Sequence, residues 1–370
     1  MSIRWTCLTS LSAKARSSHC ASITNKGTLL LYAGEFQPRK PVDGDVHAFD
    51  LNNASQQSVE DNAGLWRTLS ASSIPEPRVG ATTVSEGGNL YMWGGRGGVD
   101  MAPLDPTQSG VWKAKVSQNE VVWDKLESKG DEPSPRSFHA SVIVNGKLYI
   151  HAGCPESGRL STLHSYDVQS SEWTRCADAP DPGRGGTAIA AVKFPSSSSG
   201  QEVIIRFGGF AGHQLPTSTP PPVDIYTPNT NSWSTVVPSG DPHQGYPGAR
   251  SVHGLVPLTT PDGAGVALLY HGERDASSLG HAGAGKFWDD VWALVCREGA
   301  LGWRKLIVEG GGDGSTPEGR GWFPSTPEGR GWFPSTSYIA PGGNTRVVLS
   351  GGLLSSNERS GEVWVGDVQL

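Results

Sequence analysis

The chain has 370 residues, a formal net charge of −6, 49 glycines and 27 prolines, and only 18% of its residues are charged. No basic block is present, which argues against a nucleic-acid partner. No apolar run approaches the length of a membrane span. Short alternating apolar runs separated by Gly- and Pro-rich turns fill the sequence, and long helical patterns are missing, so the class is all-β. The N-terminal segment MSIRWTCLTSLSAKARSS has no apolar core of the secretory type. The five cysteines, Cys7, Cys20, Cys154, Cys176 and Cys296, form no CxxC pair and read as reduced thiols. A cytoplasmic location is expected.

Taken in order, the chain repeats itself. Each unit opens with an Arg, at Arg16, Arg78, Arg136, Arg184, Arg250 and Arg330. An apolar run follows, then a turn, and then a second run ending in two residues that are mostly small. These pairs are Ala33-Gly34, Gly94-Gly95, Ala152-Gly153, Gly208-Gly209, His271-Gly272 and Gly351-Gly352. A third run leads to a fourth containing Trp66, Trp123, Trp173, Trp233 or Trp303. The period is near the ~50 residues of a kelch blade, and the pattern resembles the kelch family. That resemblance implies a six-bladed β-propeller occupying residues 1–370 as one domain. The last unit stops short of a fourth run, and Ile3-Arg4-Trp5-Thr6-Cys7-Leu8 matches Leu65-Trp66-Arg67-Thr68-Leu69. Residues 3–8 are therefore expected to complete blade six and close the ring.

Three insertions interrupt the repeats. Ser196 to Gly200 reads as a mobile hairpin tip, and Thr217 to Val223 as an extended loop. STPEGRGWFP occurs at Ser315–Pro324 and again at Ser325–Pro334. The second copy runs into the next apolar stretch and is assigned to the blade, the first to a loop.

In an antiparallel blade the first strand starts where the second ends. One face should therefore gather Glu35, Arg96, Cys154, Phe210, Glu273 and Leu353, which follow the small pairs. Phe138, His139, Arg184, Arg330 and Trp332 should join them from the first strands. A concave rim that is partly apolar and partly charged suits a small-molecule pocket. The repeated arginines read mainly as structural ties between neighbouring blades, whereas Arg96 breaks the repeat at its position. The recurring Arg-Ser-x-His of blades one, three and five reads as a structural hydrogen-bonding element.

The stretch GERDASSLGHAGAGK, Gly272 to Lys286, stands apart. It places Glu273, Asp275 and His281 in a Gly-rich loop where a short turn would serve. Carboxylate and imidazole ligands suit Fe(II), Mn(II) or Zn(II), and three protein ligands leave positions open for substrate.

This loop also resembles that of the plant nitrile-specifier, epithiospecifier and thiocyanate-forming proteins, whose iron motif is Glu-x-x-x-Asp-x-x-x-His. Glu273 and His281 match its ends; Ser277 stands at the middle position, and Asp275 is the nearest carboxylate. Gly94-Gly95-Arg96, Arg184-Gly185-Gly186, Arg136-Ser137-Phe138-His139 and Arg330-Gly331-Trp332 match further segments of that family. The resemblance implies an Fe(II)-dependent, lyase-like or product-directing role on a thiohydroximate-O-sulfate, giving nitrile-type products. It would place metal at Glu273, Asp275, Ser277 and His281, and sulfate at Arg96 and Arg184. Trp332 would act near the metal, with Glu35, Phe138, Phe210 and Arg330 around the substrate. An upstream hydrolase would supply the substrate. A non-catalytic interaction scaffold and a metal-free cyclase or isomerase are the alternatives; oligomeric state stays open.

Overall fold

The computed structural model describes residues 1–370 except 56–58, 195–200, 217, 310–325, 341 and 370; the side chain of His281 also lies outside the description. The Ser196–Gly200 tip, Thr217 and the first STPEGRGWFP copy fall in the undescribed segments. Among the described residues no helix is long and apolar enough to cross a membrane.

The described strands pair as six four-stranded antiparallel meanders. Blade one is Cys20–Ile23, Thr28–Tyr32, Val46–Asp50 and Trp66–Ser72. The first strands of blades two to six are Thr82–Glu86, Ala140–Val144, Ala188–Lys193, Gly254–Pro257 and Thr336–Ile339. Each first strand contacts the first strand of the next blade, and that of blade six returns to blade one. The N-terminal strand Ser2–Ser10 pairs antiparallel with Glu362–Gln369, Trp5 opposite Gly366 and Cys7 opposite Trp364. The chain's own start is thus paired with its last strand.

Six core clusters lie between blades rather than within them. A single blade is too thin to bury both of its faces, so each face is covered only by its neighbour. Between blades five and six, for example, Ile3, Trp5, Leu268, Tyr270, Val347 and Trp364 pack together.

Two rings of backbone hydrogen bonds lock this circle. The residue two after each Arg is left-handed: Ser18, Gly80, Phe138, Gly186, Val252 and Trp332, with φ from 46° to 67°. Each donates its N–H to the carbonyl of the preceding member, from Gly80 to Ser18 (2.9 Å) round to Ser18 to Trp332 (2.6 Å). The second glycine of each small pair donates to the carbonyl of the next blade's Arg, and Gly352 closes this ring on Arg16 at 2.9 Å. Buried peptide groups need partners, and here the partners are the adjoining blades.

The arginine side chains do something different from what their repetition suggested. Each guanidinium donates within its own blade, to the carbonyl of the first small-pair residue: Arg16 to Ala33, Arg78 to Gly94, Arg136 to Ala152, Arg184 to Gly208, Arg250 to His271 and Arg330 to Gly351, at 2.9–3.2 Å. In these six residues it is the backbone carbonyl that ties neighbouring blades together. The long side chain curls back because two consecutive left-handed residues turn an otherwise unpaired carbonyl inward. The second STPEGRGWFP copy supplies Arg330, buried in the same arrangement as the other five.

The histidine reading holds in part. His139 Nε2 lies 2.8 Å from Thr82 Oγ1 and His19 Nε2 3.4 Å from Ser350 Oγ. Neither ring nitrogen of His253 has a hydrogen-bond partner among the described residues; its ring instead meets Phe207 edge-on at 5.9 Å.

Candidate functional site

Five of the six residues following the small pairs line one cavity at the end of the propeller axis. Each forms a short antiparallel bridge with the residue after its own Arg, as in Glu35 with Ser17, Arg96 with Val79, and Glu273 with Ser251. These bridges hold the side chains in a ring. The cavity has a volume of about 790 Å³, and Glu35, Arg96, Phe210, Glu273 and Leu353 line it. Cys154, the ring's remaining member, is buried and is not among the lining residues.

The floor is aromatic. Phe138 and Trp332, both members of the left-handed ring, meet edge to face with centroids 5.1 Å apart, and Phe210 lies 6.3 Å from Trp332. Gly80 and Gly186 flank Phe138 in the ring. A Cβ at Gly80 would come within 2.7 Å of the Phe138 ring, and one at Gly186 within 2.8 Å of Phe210. The two glycines thus leave the width over which the rings lie.

One wall is cationic. Arg96 Nε donates to Ser137 Oγ at 2.7 Å, and its guanidinium lies 5.5 Å from the Phe138 centroid. Its terminal nitrogens make no hydrogen bond to protein among the described residues. Arg159 stacks 4.9 Å over Phe210, and Arg39 and Arg359 complete the wall. Glu35 offsets part of this charge, accepting from the Arg39 N–H at 2.8 Å and pairing with Arg359 at 3.3 Å. Burial lowers the Arg96 pKa, and the neighbouring Arg39 and Arg159 charges add to the shift. Arg96 and Arg159 therefore form a cationic surface without a direct carboxylate partner among the described residues, suited to an oxyanion.

The facing wall is the Glu273 loop. Glu273 is 8% exposed, and burial, with the Asp275 charge beside it, pushes its carboxyl up to about 7. Its oxygens make no hydrogen bond to protein among the described residues. A Cβ at Gly285 would stand 2.5 Å from Glu273 Oε1, and one at Gly283 2.6 Å from Ser277 Oγ. These glycines leave a cradle beside the oxygens of Glu273 and Ser277, next to Asp275, and this oxygen-rich set fits a divalent cation. Ser277 Oγ also accepts the Leu279 N–H at 3.1 Å. His281 belongs to the single-turn helix Gly280–Ala282. At the loop's root Gly272 has φ +100°, and a Cβ there would lie 2.4 Å from His253 Cβ. Gly272→Ala is expected to lower stability by about 2–3 kcal/mol, read from thermal melts at fixed pH.

The structure thus brings Glu35, Arg96, Phe138, Phe210, Glu273, Asp275, Ser277 and Trp332 to one cavity. It does not bring Arg184 or Arg330 there. Arg184 is buried and holds the Gly208 carbonyl. Arg330 bonds Gly351 and Ser360 and pairs with Glu362 at 2.8 Å. Both follow the repeat, and the repeat's Arg is committed to its own blade. Arg39, Arg159, Arg274 and Arg359 line the cavity besides Arg96, and the sequence reading passed over all four; Arg159 stands beside Phe210. Its signal was positional: loops after second strands open on this face, so an Arg in any of them is a candidate.

A closed ring of four-stranded blades, each tied by a buried Arg and a left-handed small pair, defines a kelch propeller. Residues 18–260 match the family described as the KLHDC2/KLHL20/DRC7 Kelch-repeats domain, and the chain belongs to the Kelch-repeat family. It is 26% identical over 368 residues to an N-(sulfonatooxy)prop-2-enimidothioate sulfolyase of Thlaspi arvense, covering 94% of this chain and 91% of that one. The human Kelch domain-containing protein 10 is 23% identical over 202 residues, and that match spans 42% of its length. Among solved structures, that of YjhT superposes with a TM-score of 0.61 at 16% identity over 94% of both chains, a likeness of fold. The full-length match marks a kelch protein similar to the specifier proteins.

Proposed function

We propose that this protein directs the breakdown of a thiohydroximate-O-sulfate, or a related anionic sulfur-containing small molecule, toward a nitrile. The observation that carries this reading is the cavity itself. The unpartnered guanidinium end of Arg96, with Arg159 beside it, faces the Glu273 loop across an aromatic floor. Similarity to the sulfolyase along nearly the whole chain supports it.

On this reading Arg96 and Arg159 hold the sulfate, which leaves with the N–O bond. Phe138, Phe210 and Trp332 enclose the organic side chain and exclude water from the reacting carbon. In the overall change the N–O and C–S bonds break, the C≡N bond forms, and sulfate and one sulfur atom leave. Fe(II), held by Glu273 and Asp275 with Ser277 and His281 as further ligands, would supply a Lewis acid toward the substrate sulfur. Glu273 reaches the cavity from a poorly hydrated position, so its carboxylate gains from a cation more than a solvated one does.

The test supplies a glucosinolate and a thioglucosidase to the protein with Fe(II) and measures nitrile against isothiocyanate. Nitrile above the protein-free baseline is expected. Arg96→Ala should lower its formation about 10–100-fold, the loss of a charge-assisted hydrogen-bonding group, with the melting temperature little changed. No nitrile from folded protein, or full activity in Arg96→Ala, overturns the proposal.

A further inference from the structure

Away from the cavity, the sequence Asp43-Gly44-Asp45-Val46-His47 carries a second group of metal-ligating atoms. One ligand atom from each of Asp43, Asp45 and His47 lies within 4.8 Å of the other two. None of the three lines the cavity. Asp45 and His47 are two residues apart at the start of the third strand of blade one, so their side chains leave the same face. Asp43 enters from the loop before it.

The carboxylates are exposed, and exposed acidic pairs are common. The histidine is what distinguishes this place. His47 is 3% exposed, and its Nε2 is sealed from solvent with no hydrogen-bond partner among the described residues. That nitrogen sits 3.7 Å from Asp43 Oδ1, too far for a good hydrogen bond. The other nitrogen, Nδ1, is engaged by Thr68 Oγ1 at 3.1 Å and Lys14 Nζ at 2.9 Å. A buried, unpaired ring nitrogen is costly, and this one faces two carboxylates across a gap of the size a cation fills.

We propose that Asp43, Asp45 and His47 form a divalent-cation site of the zinc class, distinct from the Glu273 loop. One imidazole and two carboxylates suit Zn(II) with a water in the fourth position. Lys14 Nζ can only donate, so in the metal-free arrangement Nδ1 accepts from it and Nε2 carries the proton; the metal takes the other tautomer, in which Thr68 Oγ1 accepts from Nδ1–H and Nε2 offers its lone pair. Lys14, which is only half-buried, must therefore leave Nδ1 as the ion enters. Asp43 and Asp45 closing on the ion bring the ligand atoms to the spacing set by zinc–ligand bonds of about 2.0–2.2 Å. The ion would tie the second-to-third-strand loop of blade one to its third strand.

The experiment uses the full chain freed of metal by chelation and titrated with Zn(II), and with Co(II) for its visible spectrum. The Glu273→Gln/His281→Ala variant removes the rim loop as a competing site. It is expected to bind one equivalent of Zn(II) and to show the d–d bands of a Co(II) site with a nitrogen ligand. Asp43→Asn/Asp45→Asn, which alters only exposed carboxylates, should weaken that binding about 100-fold or more in the same background. His47→Gln should abolish the nitrogen-ligand signature. No saturable binding in the rim variant overturns the proposal, as does equal affinity after Asp43→Asn/Asp45→Asn. Neither result bears on nitrile formation, which is read separately.

Discussion

Deleting residues 1–10 is expected to leave a chain that no longer folds cooperatively. The segment supplies the fourth strand of blade six and pairs along its length with Glu362–Gln369. Ile3, Trp5 and Leu8 are 0%, 3% and 4% exposed, and they help fill the cores on both sides of that blade. Removing one large buried side chain costs about 2–5 kcal/mol. Three together approach or exceed the roughly 5–15 kcal/mol that stabilises a typical domain. The truncated protein would also expose the hydrogen-bonding edge of Glu362–Gln369, an invitation to aggregate. Trp5→Ala is the graded version: about 3–5 kcal/mol and a melting point lower by roughly 5 °C for a chain of this size. Gly366 has room only for hydrogen, because a Cβ there would meet Ile3 and Trp5 at 2.8–2.9 Å. Calorimetry and near-UV circular dichroism decide the matter. A truncated chain melting at the full-length temperature would show that the N-terminal strand does not close the ring.

The second large effect is acid sensitivity. His19, His139, His151, His253 and His271 are all buried. Desolvation holds every one of them below the usual imidazole range, His139 and His271 down to about 3. Their folded pKa values are depressed, so the unfolded chain binds more protons below about pH 6.5. The stability they confer is present above about pH 6.5 and is lost as pH falls below it. At pH 5 His139 and His271, each held down to about 3, contribute a loss of about 2 kcal/mol apiece. Glu273 acts with the opposite sign: its raised folded pKa makes the protein less stable as pH rises from about 4.5 toward 7. One carboxyl does not offset several imidazoles, so stability is expected to fall as pH drops below about 6.5. His271→Asn, at a ring with neither nitrogen hydrogen-bonded among the described residues, should reduce the pH slope of unfolding free energy by close to one proton. Glu273→Gln in chelator should raise stability at pH 8 and leave it nearly unchanged at pH 4.5. Denaturant titrations across pH read both, and a slope unaltered by His271→Asn would rule out this account.

Much of the site was legible because propeller geometry converts a repeat into a ring. Once the small pairs were aligned, the next residues had to share a rim, and Glu35, Arg96, Phe210 and Glu273 do line one cavity. The same logic misjudged Arg184. A residue that obeys the repeat inherits the repeat's contact, here the carbonyl of Gly208. Arg159 escaped notice for the converse reason: it lies in a loop whose length and path differ from blade to blade.

What local residue type decides is therefore considerable. Alternation, paired small residues and a recurring Arg dictate strands, left-handed turns and their order, since each rests on contacts within about one blade. The match of Ile3–Leu8 to a fourth strand likewise stood in the linear pattern. The tertiary structure alone decided which charges meet. Arg96 and Arg159 come from different blades and sit beside Phe138 and Phe210 only after the ring closes. The burial of Glu273, and a His47 Nε2 without a hydrogen-bond partner among the described residues, likewise arise from surfaces that no single repeat contains. Burial and pairing are properties of neighbours distant in sequence, and in a propeller those neighbours are fixed by closure.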